Sequence, residues 1–191
     1  MFRTDLWATP IWQYYISDDV INFNQVVVDV YEIKKRDEGR IISNRGGWQS
    51  NFINSQNTEL FKLMQHIKNN IQLCYVQLQV RKEYVGQKFT YWININSPDH
   101  FNVKHSHGGA IISGCVYLKV PKNSGDIVFY PNISENYFFE TYTKFSSDFA
   151  SRETTFVAEE KKVILFPSFL QHSVCKNESH EDRISVAFNI T

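Results

Sequence analysis

Three histidines in this sequence are spaced as the ligands of a single metal ion. His105 and His107 are one residue apart, and side chains two positions apart in an extended strand point to the same face. A third histidine, His172, follows 65 residues after His107. Imidazole ligands that leave coordination positions open are suited to Fe(II). We therefore predict a metal centre with His105, His107 and His172 as its ligands.

The pair of histidines is weak evidence by itself, because such pairs also occur as ordinary polar residues on exposed strands. The metal site is favoured by the combination of the pair with His172 and with Arg183, which follows eleven residues later. An arginine can also simply pair with a surface carboxylate. The remaining histidines are predicted to have no partners, and we interpret them as surface residues: His66, His100 and His180.

Ligands this far apart in sequence can meet only in a fold that returns the chain to its starting point, such as a small β-barrel or jelly roll. From residue 89 onward the hydrophobic pattern has a period of two, which is typical of strands. Residues 132–152 are polar and aromatic without a period, and predict a long, functional insertion between strands. The predicted strands are residues 91–96, 101–107, 111–120, 126–130, 154–157, 162–166, 171–175 and 183–190.

The first 85 residues follow a different pattern. Residues 10–16 predict a strand, whereas residues 20–35 and the segment that opens at Asn57-Thr58-Glu59 carry apolar residues at helical spacing. Residues 36–47 are charged or glycine-rich and predict a loop. The sequence therefore predicts one α+β, mainly β domain over residues 1–191. In it, a strand and helices from residues 1–85 pack outside a jelly-roll core formed by residues 86–191.

Composition limits the partners and the compartment. Lysine plus arginine and aspartate plus glutamate number 20 each, so no overall field would attract nucleic acid or an anionic membrane. The N-terminus lacks an apolar signal segment, and no run of eighteen apolar residues follows. The three cysteines, Cys74, Cys115 and Cys175, are odd in number and widely spaced, which favours a reduced protein. We predict a cytoplasmic location.

The motifs around the histidines resemble those of the 2-oxoglutarate- and Fe(II)-dependent oxygenase superfamily, and most of all a small phage and bacterial subgroup with a His-x-His motif. The resemblance covers residues 86–191 and, more loosely, Ala8-Thr9-Pro10 and Gly47-Trp48-Gln49-Ser50. It implies that the core is a double-stranded β-helix, which is also called a jelly-roll or cupin-like fold. If the protein is encoded by a phage, its location would be the cytoplasm of the host. The matching motifs are Trp92-Ile93-Asn94, His105-Ser106-His107-Gly108-Gly109, Ser113-Gly114-Cys115-Val116-Tyr117, Phe166-Pro167-Ser168, His172 and Arg183-Ile184-Ser185-Val186-Ala187-Phe188-Asn189.

The resemblance also implies the chemistry and the residues that carry it. Fe(II) would bind the three histidines, 2-oxoglutarate would be the cosubstrate, and dioxygen would hydroxylate an organic or peptide substrate. Arg183 would bind the distal carboxylate of 2-oxoglutarate, because a guanidinium makes two parallel hydrogen bonds to a carboxylate. Ser185, which lies on the same strand face as Arg183, and Tyr117 would add hydrogen bonds to that carboxylate, and Asn94 would lie near the metal-bound end. Trp48-Gln49-Ser50 either lines the mouth of the site or is buried by packing.

One residue departs from the superfamily pattern of His-x-Asp or His-x-Glu followed by a distant histidine. His107 stands where the carboxylate is expected, and three neutral imidazoles would leave the ferrous ion its full double charge. Asp99 and Asp126 are the alternative carboxylates. We rank both below His107, because Asp99 precedes the histidine-bearing strand and Asp126 belongs to a later strand.

Two other functions are compatible with the same residues. The first is a three-histidine cupin-like dioxygenase that needs no keto acid. The second is a non-catalytic jelly-roll protein that uses metal for structure, or uses none. Neither the identity of the substrate nor the oligomeric state follows from the sequence.

Overall fold

Strands dominate the computed structural model, which describes residues 2, 8–85, 88–131 and 153–191. The described helices are α1 (Phe23–Lys34), α2 (Glu59–Asn70) and α3 (Gln72–Gln77), with a 3-10 turn at Lys82–Tyr84. The predicted insertion at residues 132–152 lies outside the described residues. The described strands are β1 (Trp12–Tyr15), β2 (Asn44–Arg45), β3 (Trp48–Gln49), β4 (Phe89–Asn96), β5 (Phe101–His105), β6 (Ile112–Lys119), β7 (Ile127–Tyr130), β8 (Thr154–Phe156), β9 (Lys162–Pro167), β10 (Gln171–Val174) and β11 (Arg183–Ile190).

These strands form two antiparallel sheets. The six-stranded sheet has the order β1-β9-β6-β11-β4-β3, and the five-stranded sheet has the order β2-β5-β10-β7-β8. Strands far apart in sequence are neighbours in both sheets, as the jelly-roll prediction requires. The predicted α+β, mainly β class is confirmed.

The central strand β11 separates the hydrophobic core from a cavity between the sheets. Its successive side chains point to opposite faces of the sheet. One set is buried in the core beneath the helices: Ile184, Val186, Phe188 and Ile190. The alternate set lines the cavity: Arg183, Ser185, Ala187 and Asn189. The period of two therefore places all three polar side chains of this strand, those of Arg183, Ser185 and Asn189, on the cavity side.

The helices cover the outer face of the six-stranded sheet, as predicted. Asn22 caps α1 by accepting a hydrogen bond from the backbone of Gln25, and Thr58 caps α2 by accepting one from Phe61. The apolar faces of both helices join the core of the sheet. Among the described residues, no helix has both the length and the apolar character that a membrane crossing requires.

Five local features differ from the sequence prediction. Helix α1 begins at Phe23 rather than at residue 20. Helix α3 and the strands β2 and β3 were not predicted, because six residues and two residues are too short for a period to be recognised. Strand β5 ends at His105, whereas the prediction extended it to residue 107.

Gly114 leaves no room for a side chain on β6. A Cβ atom at this position would lie 2.5 Å from Cζ of Phe188 and 2.6 Å from the carbonyl oxygen of Ile164. We expect Gly114→Ala to lower the free energy of unfolding by about 1–3 kcal/mol, because overpacking forces the sheet to shift. Urea unfolding measures this change.

The matched control is Gly108→Ala, since a Cβ atom there meets nothing within 4 Å. Its effect should stay within about 0.5 kcal/mol. Equal stability of the two variants would contradict the packing described for Gly114.

Candidate functional site

Two neighbouring strands and one loop bring the three histidines together. His172 on β10 lies directly opposite His105 on β5, and their ring centres are 4.3 Å apart. His107 lies beyond the end of β5, where its backbone N–H donates to the carbonyl of Ser168 at 2.9 Å. Its ring centre is 5.1 Å from that of His105 and 5.0 Å from that of His172. The expectation that one strand carries both members of the pair is therefore wrong for His107, which a loop contact brings to the same place.

The ring nitrogens are arranged for metal binding. One possible ligand atom from each histidine lies within 4.8 Å of the others, and these residues form the one such group found in the described part of the chain. Nδ1 of His105 donates to the Val103 carbonyl at 2.8 Å, and Nδ1 of His172 donates to the Leu170 carbonyl at 3.0 Å. A carbonyl oxygen only accepts, so Nδ1 carries the proton and Nε2 keeps its lone pair.

His107 is oriented by two polar residues that sequence reasoning missed. Its Nδ1 lies 2.7 Å from Oδ1 of Asn189 and 2.9 Å from Oγ of Ser113. Oγ of Ser113 itself donates to Oδ1 of Asn189 at 2.8 Å. This amide oxygen therefore accepts from both, and Nε2 of His107 is left for a ligand. Hydrogen bonds of this kind fix the ring orientation of metal-binding histidines.

Burial keeps the three imidazoles neutral. Desolvation lowers the pKa of His105, lowers that of His107 to about 4 and lowers that of His172 to about 3, and the charge of His105 contributes to the last two shifts. The aromatic ring of Phe166, 4.7 Å from the ring of His172, forms part of the apolar surroundings. Neutral imidazole is the form that binds metal.

Acid is expected to destabilise the ligand-free protein through these histidines. A histidine whose pKa is lower in the folded chain binds fewer protons there, so its contribution is present above the unfolded pKa and is lost as the pH falls. For His107 and His172 the loss runs from pH 6.5 down to about 4 and about 3, respectively. Each unit of pKa shift corresponds to about 1.4 kcal/mol.

Urea unfolding at a series of pH values measures this loss. The His172→Gln variant should lose less stability than the unaltered protein over the same interval, because it lacks one of the titrating groups. An equal loss in both proteins would contradict the assignment.

A cavity of about 340 Å³ lies between the two sheets beside the histidines. Ser185 on β11 is paired with Asn94 on β4 and with Tyr117 on β6, so these side chains form one row across three strands. Arg183 is two residues away on the same face of β11. All four residues that the resemblance implied for the cosubstrate line the cavity.

Arg183 and Tyr117 carry buried polar atoms that need a partner. Arg183 is 2% exposed and Tyr117 is fully buried, with the guanidinium carbon 5.0 Å from the centre of the phenol ring. Neither Nε of Arg183 nor Oη of Tyr117 makes a hydrogen bond of normal geometry within the described chain, although Cys115 and Arg183 lie near that hydroxyl. No aspartate or glutamate of the described residues lines the cavity. A buried charge without a counter-charge is costly, so this end of the cavity fits the carboxylate of a ligand.

The alternative carboxylates lie elsewhere. Asp99 forms an exposed ion pair with Lys176 at 2.6 Å, and Oδ1 of Asp126 accepts from the backbone N–H of Ala158 at 2.8 Å. Neither belongs to the histidine cluster. Among the described residues, His107 and neither of these carboxylates lies beside His105 and His172, where the superfamily pattern has an aspartate or glutamate.

The other histidines are partly as predicted. His180 is exposed, as expected. His66 and His100 do have partners, contrary to the prediction. Nε2 of His66 lies 3.0 Å from Nδ2 of Asn70, and the partly buried His100 accepts from the backbone N–H of Ser97 at 3.2 Å. None of the three joins the cluster of His105, His107 and His172.

The segment 48–50 combines both of its predicted roles. Gln49 lines the cavity. Ser50 is fully buried and its hydroxyl accepts from the backbone N–H of Ile93 at 2.9 Å, whereas the indole of Trp48 donates to the carbonyl of Asp37 at 3.0 Å. One residue therefore faces the site and two are held by packing.

Comparison with known structures shows similarity to oxygenases over nearly the whole chain. A prolyl-4-hydroxylase of Pseudomonas putida has a TM-score of 0.67 and 14% identity, with 97% of this chain and 94% of that chain covered. A prolyl hydroxylase of Trichoplax adhaerens, solved with a peptide fragment of the hypoxia inducible factor oxygen degradation domain, has a TM-score of 0.65 and 12% identity over 95% and 82% of the chains. At these identities the similarity shows the fold, a double-stranded β-helix.

A viral neighbour adds a structure with the cosubstrate. The collagen prolyl hydroxylase of Paramecium Bursaria Chlorella virus-1, solved as a 2-oxoglutarate complex, has a TM-score of 0.58 and 14% identity, with 94% of each chain covered. No curated protein matches this chain.

A family model identifies the core of the chain. The model described as "Putative 2OG-Fe(II) oxygenase" matches residues 90–189, which is 100 of the 191 residues. The matched region runs from β4 to β11 and contains the three histidines and Arg183. The chain belongs to the 2OG-Fe(II) oxygenase family, and its cofactors are Fe(II) and 2-oxoglutarate.

Proposed function

We propose that His105, His107 and His172 bind Fe(II) through Nε2 and that Arg183 binds the distal carboxylate of 2-oxoglutarate. One observation carries the proposal: a buried guanidinium without a counter-charge lies in the same cavity as three neutral imidazoles with free Nε2 atoms. With both cofactors bound, the site supplies oxidative decarboxylation of 2-oxoglutarate coupled to hydroxylation of a substrate by dioxygen. The chain's own residues bind and orient these groups and exclude water.

Hydrogen bonds from the row next to Arg183 would complete the cosubstrate site. The hydroxyl of Tyr117 is placed to donate to the same carboxylate, because it is buried and lacks a partner. Ser185 lies beside it on β11, and Asn94 faces the cavity from β4. We assign Ser185 to the distal carboxylate and Asn94 to the metal-bound end of 2-oxoglutarate.

The third imidazole changes the charge of the centre. With a carboxylate ligand, the net charge of the Fe(II) centre would be +1. Because His107 is neutral, the net charge stays at +2. 2-Oxoglutarate carries two negative charges, so a doubly charged centre attracts it more strongly. The proposed ligand set thus favours retention of the cosubstrate.

Turnover of 2-oxoglutarate tests the function without knowledge of the substrate. Anaerobically loaded protein that is then given dioxygen and ascorbate should convert 2-oxoglutarate to succinate and CO2 in an Fe(II)-dependent reaction, with ascorbate reducing the second oxygen atom to water in place of a substrate. Arg183→Ala should abolish this reaction. Oxygen uptake that continues in Arg183→Ala protein would instead support the three-histidine enzyme that needs no keto acid. Tight binding of stoichiometric zinc with no open position and no binding of 2-oxoglutarate would support the non-catalytic alternative.

The substrate is an organic molecule or a peptide in this proposal. The cavity is lined by Arg183, by the three histidines and by Phe52, which is half exposed and opens it to solvent. The Trichoplax neighbour was solved with a peptide, which supports access of a peptide in this fold. A single domain over residues 1–191 and a cytoplasmic location remain predictions from the sequence.

A further inference from the structure

A second arginine lines the same cavity on the side of His107. The guanidinium carbon of Arg40 lies 4.4 Å from the ring centre of Phe52 and 5.9 Å from that of Trp92. The rings of Trp92 and His107 are in edge contact, with centres 5.6 Å apart. Phe52 is 50% exposed, whereas Trp92 is buried. The guanidinium therefore lies near the solvent, one aromatic ring away from a metal ligand.

The guanidinium of Arg40 is held in place but has donors to spare. Its Nε donates to the carbonyl of Ser50 at 3.0 Å, and the ring of Phe52 supports its face. Within the described chain, its two terminal nitrogens make no hydrogen bond and Arg40 forms no ion pair. The carboxylate of nearby Asp37 is engaged by the backbone N–H of Gly39 and by Asn51. An oriented pair of donors is thus available for a ligand.

Arg40 is too far from Arg183 to share its task. Trp92, which Arg40 covers, is paired with Ala187 on β11, four residues beyond Arg183. Arg40 itself forms a backbone bridge with Gln49, which is paired with Asn94 on β4, the neighbour of β11. Three strand spacings of about 4.8 Å, or about 14 Å in all, therefore separate the backbones of Arg40 and β11. Arg183 and Arg40 therefore serve different parts of the cavity.

The charges of the cavity also leave room for an anion at Arg40. Its described lining contains two arginines, three neutral histidines and no carboxylate. The charges of Fe(II) and 2-oxoglutarate cancel one another, so both guanidinium charges would remain. Burial lowers the pKa of Arg40 and the charge of Asp37 offsets only part of this shift, so an anionic partner would offset the remainder.

We propose that Arg40, stacked on Phe52, binds a carboxylate or phosphate group of the substrate, which is therefore an anionic organic molecule. This inference rests on the proposed function, since it takes the histidines as metal ligands and Arg183 as the cosubstrate residue. Arg40 is then a specificity-determining residue. It orients the substrate by its charged end and leaves the remainder of the molecule beside Trp92 and the metal.

Matched anionic and neutral probes test this proposal by binding alone. The protein is loaded with Zn(II), which is redox-inactive, and with 2-oxoglutarate, which occupies Arg183. Benzoate, phenyl phosphate and neutral benzamide are then titrated, and dissociation constants are read from the ¹H–¹⁵N spectrum, with the indole signal of Trp92 assigned by Trp92→Phe. We expect at least one of the anions to bind at least about tenfold more tightly than benzamide. The tighter of the two anions indicates whether the substrate is a carboxylate or a phosphate ester.

Three variants identify the residue responsible. Arg40→Gln should bring the ratio of the dissociation constants of the anion and benzamide to about one, and Arg40→Lys should retain part of the preference because it keeps the charge. Arg45→Gln removes an equal charge from the same segment outside the cavity and should leave the ratio unchanged. The spectra show whether each variant is folded. If Arg40→Gln is unfolded, a reduced preference for the anion in Arg40→Lys supports the role of Arg40, and an unchanged preference contradicts it.

The inference would be overturned if the unaltered protein bound neither anion more tightly than benzamide. It would also be overturned if folded Arg40→Gln protein kept the preference for the anion. Failure of 2-oxoglutarate to bind would count against the proposed function instead. In that case the same comparison of probes in Arg183→Gln protein still decides for or against Arg40, because no other described guanidinium lines the cavity.

Discussion

Replacing Arg183 by methionine should weaken the binding of 2-oxoglutarate about 100-fold or more. A guanidinium that makes two charge-assisted hydrogen bonds to a carboxylate contributes about 1.5–3 kcal/mol for each bond. Arg183 is 2% exposed and no carboxylate of the described residues faces it in the cavity, so this contribution should be realised in the complex. Anaerobic calorimetry with Fe(II)-loaded protein measures the dissociation constant.

The same substitution should leave the ligand-free protein as stable as before, or stabilise it. An apolar side chain of similar length removes a buried charge that has no counter-charge, which is neutral or favourable in most cases. Arg183→Lys is the matched control and should bind 2-oxoglutarate with intermediate affinity, because a single ammonium replaces the fork. Unchanged affinity in Arg183→Met, or a loss of stability of several kcal/mol, would contradict the role assigned to Arg183.

Replacing His172 by alanine should weaken the binding of Fe(II) about 100- to 1,000-fold. Structural metal sites derive about 10–16 kcal/mol from four ligands, so one ligand accounts for about 2.5–4 kcal/mol. His172 is 4% exposed and its only protonated nitrogen is committed to a backbone carbonyl, which leaves Nε2 for the ion. Anaerobic titration with Fe(II) or Co(II) measures the affinity.

Three further substitutions distinguish a metal ligand from a histidine that does not bind the ion. His180→Ala removes an exposed histidine outside the cluster and should leave metal affinity unchanged. His107→Ala should lose affinity as His172→Ala does, whereas His107→Asp should retain most of it because a carboxylate can also bind Fe(II). Equal affinity of the unaltered and His107→Ala proteins would show that two histidines suffice and that His107 is not a ligand.

The sequence predicted the parts of the site that follow from strand periodicity. Arg183 and Ser185 were placed on one face of a strand, and that face does line the cavity. The same rule applied two steps further reaches Asn189, which orients His107 and was missed although it lies within the quoted motif. The alternation of side chains along β11 therefore contains enough information to place Asn189 on the cavity side.

Features that depend on long-range contacts could not be predicted in this way. The pairing of His172 with His105 depends on which strands become neighbours, and the position of His107 depends on a backbone contact with Ser168. Arg40 lies in a segment without a period, so its place above Phe52 had no signal in the sequence. Short elements such as α3 likewise gain their stability from packing rather than from local pattern.

The structure of the anaerobic complex with Fe(II) and 2-oxoglutarate tests the central claim most directly. The account predicts one ion about 2.1 Å from Nε2 of each of His105, His107 and His172, with the distal carboxylate of 2-oxoglutarate on the guanidinium of Arg183. An ion bound by only two of these imidazoles, or a keto acid that leaves Arg183 without a partner, would contradict it.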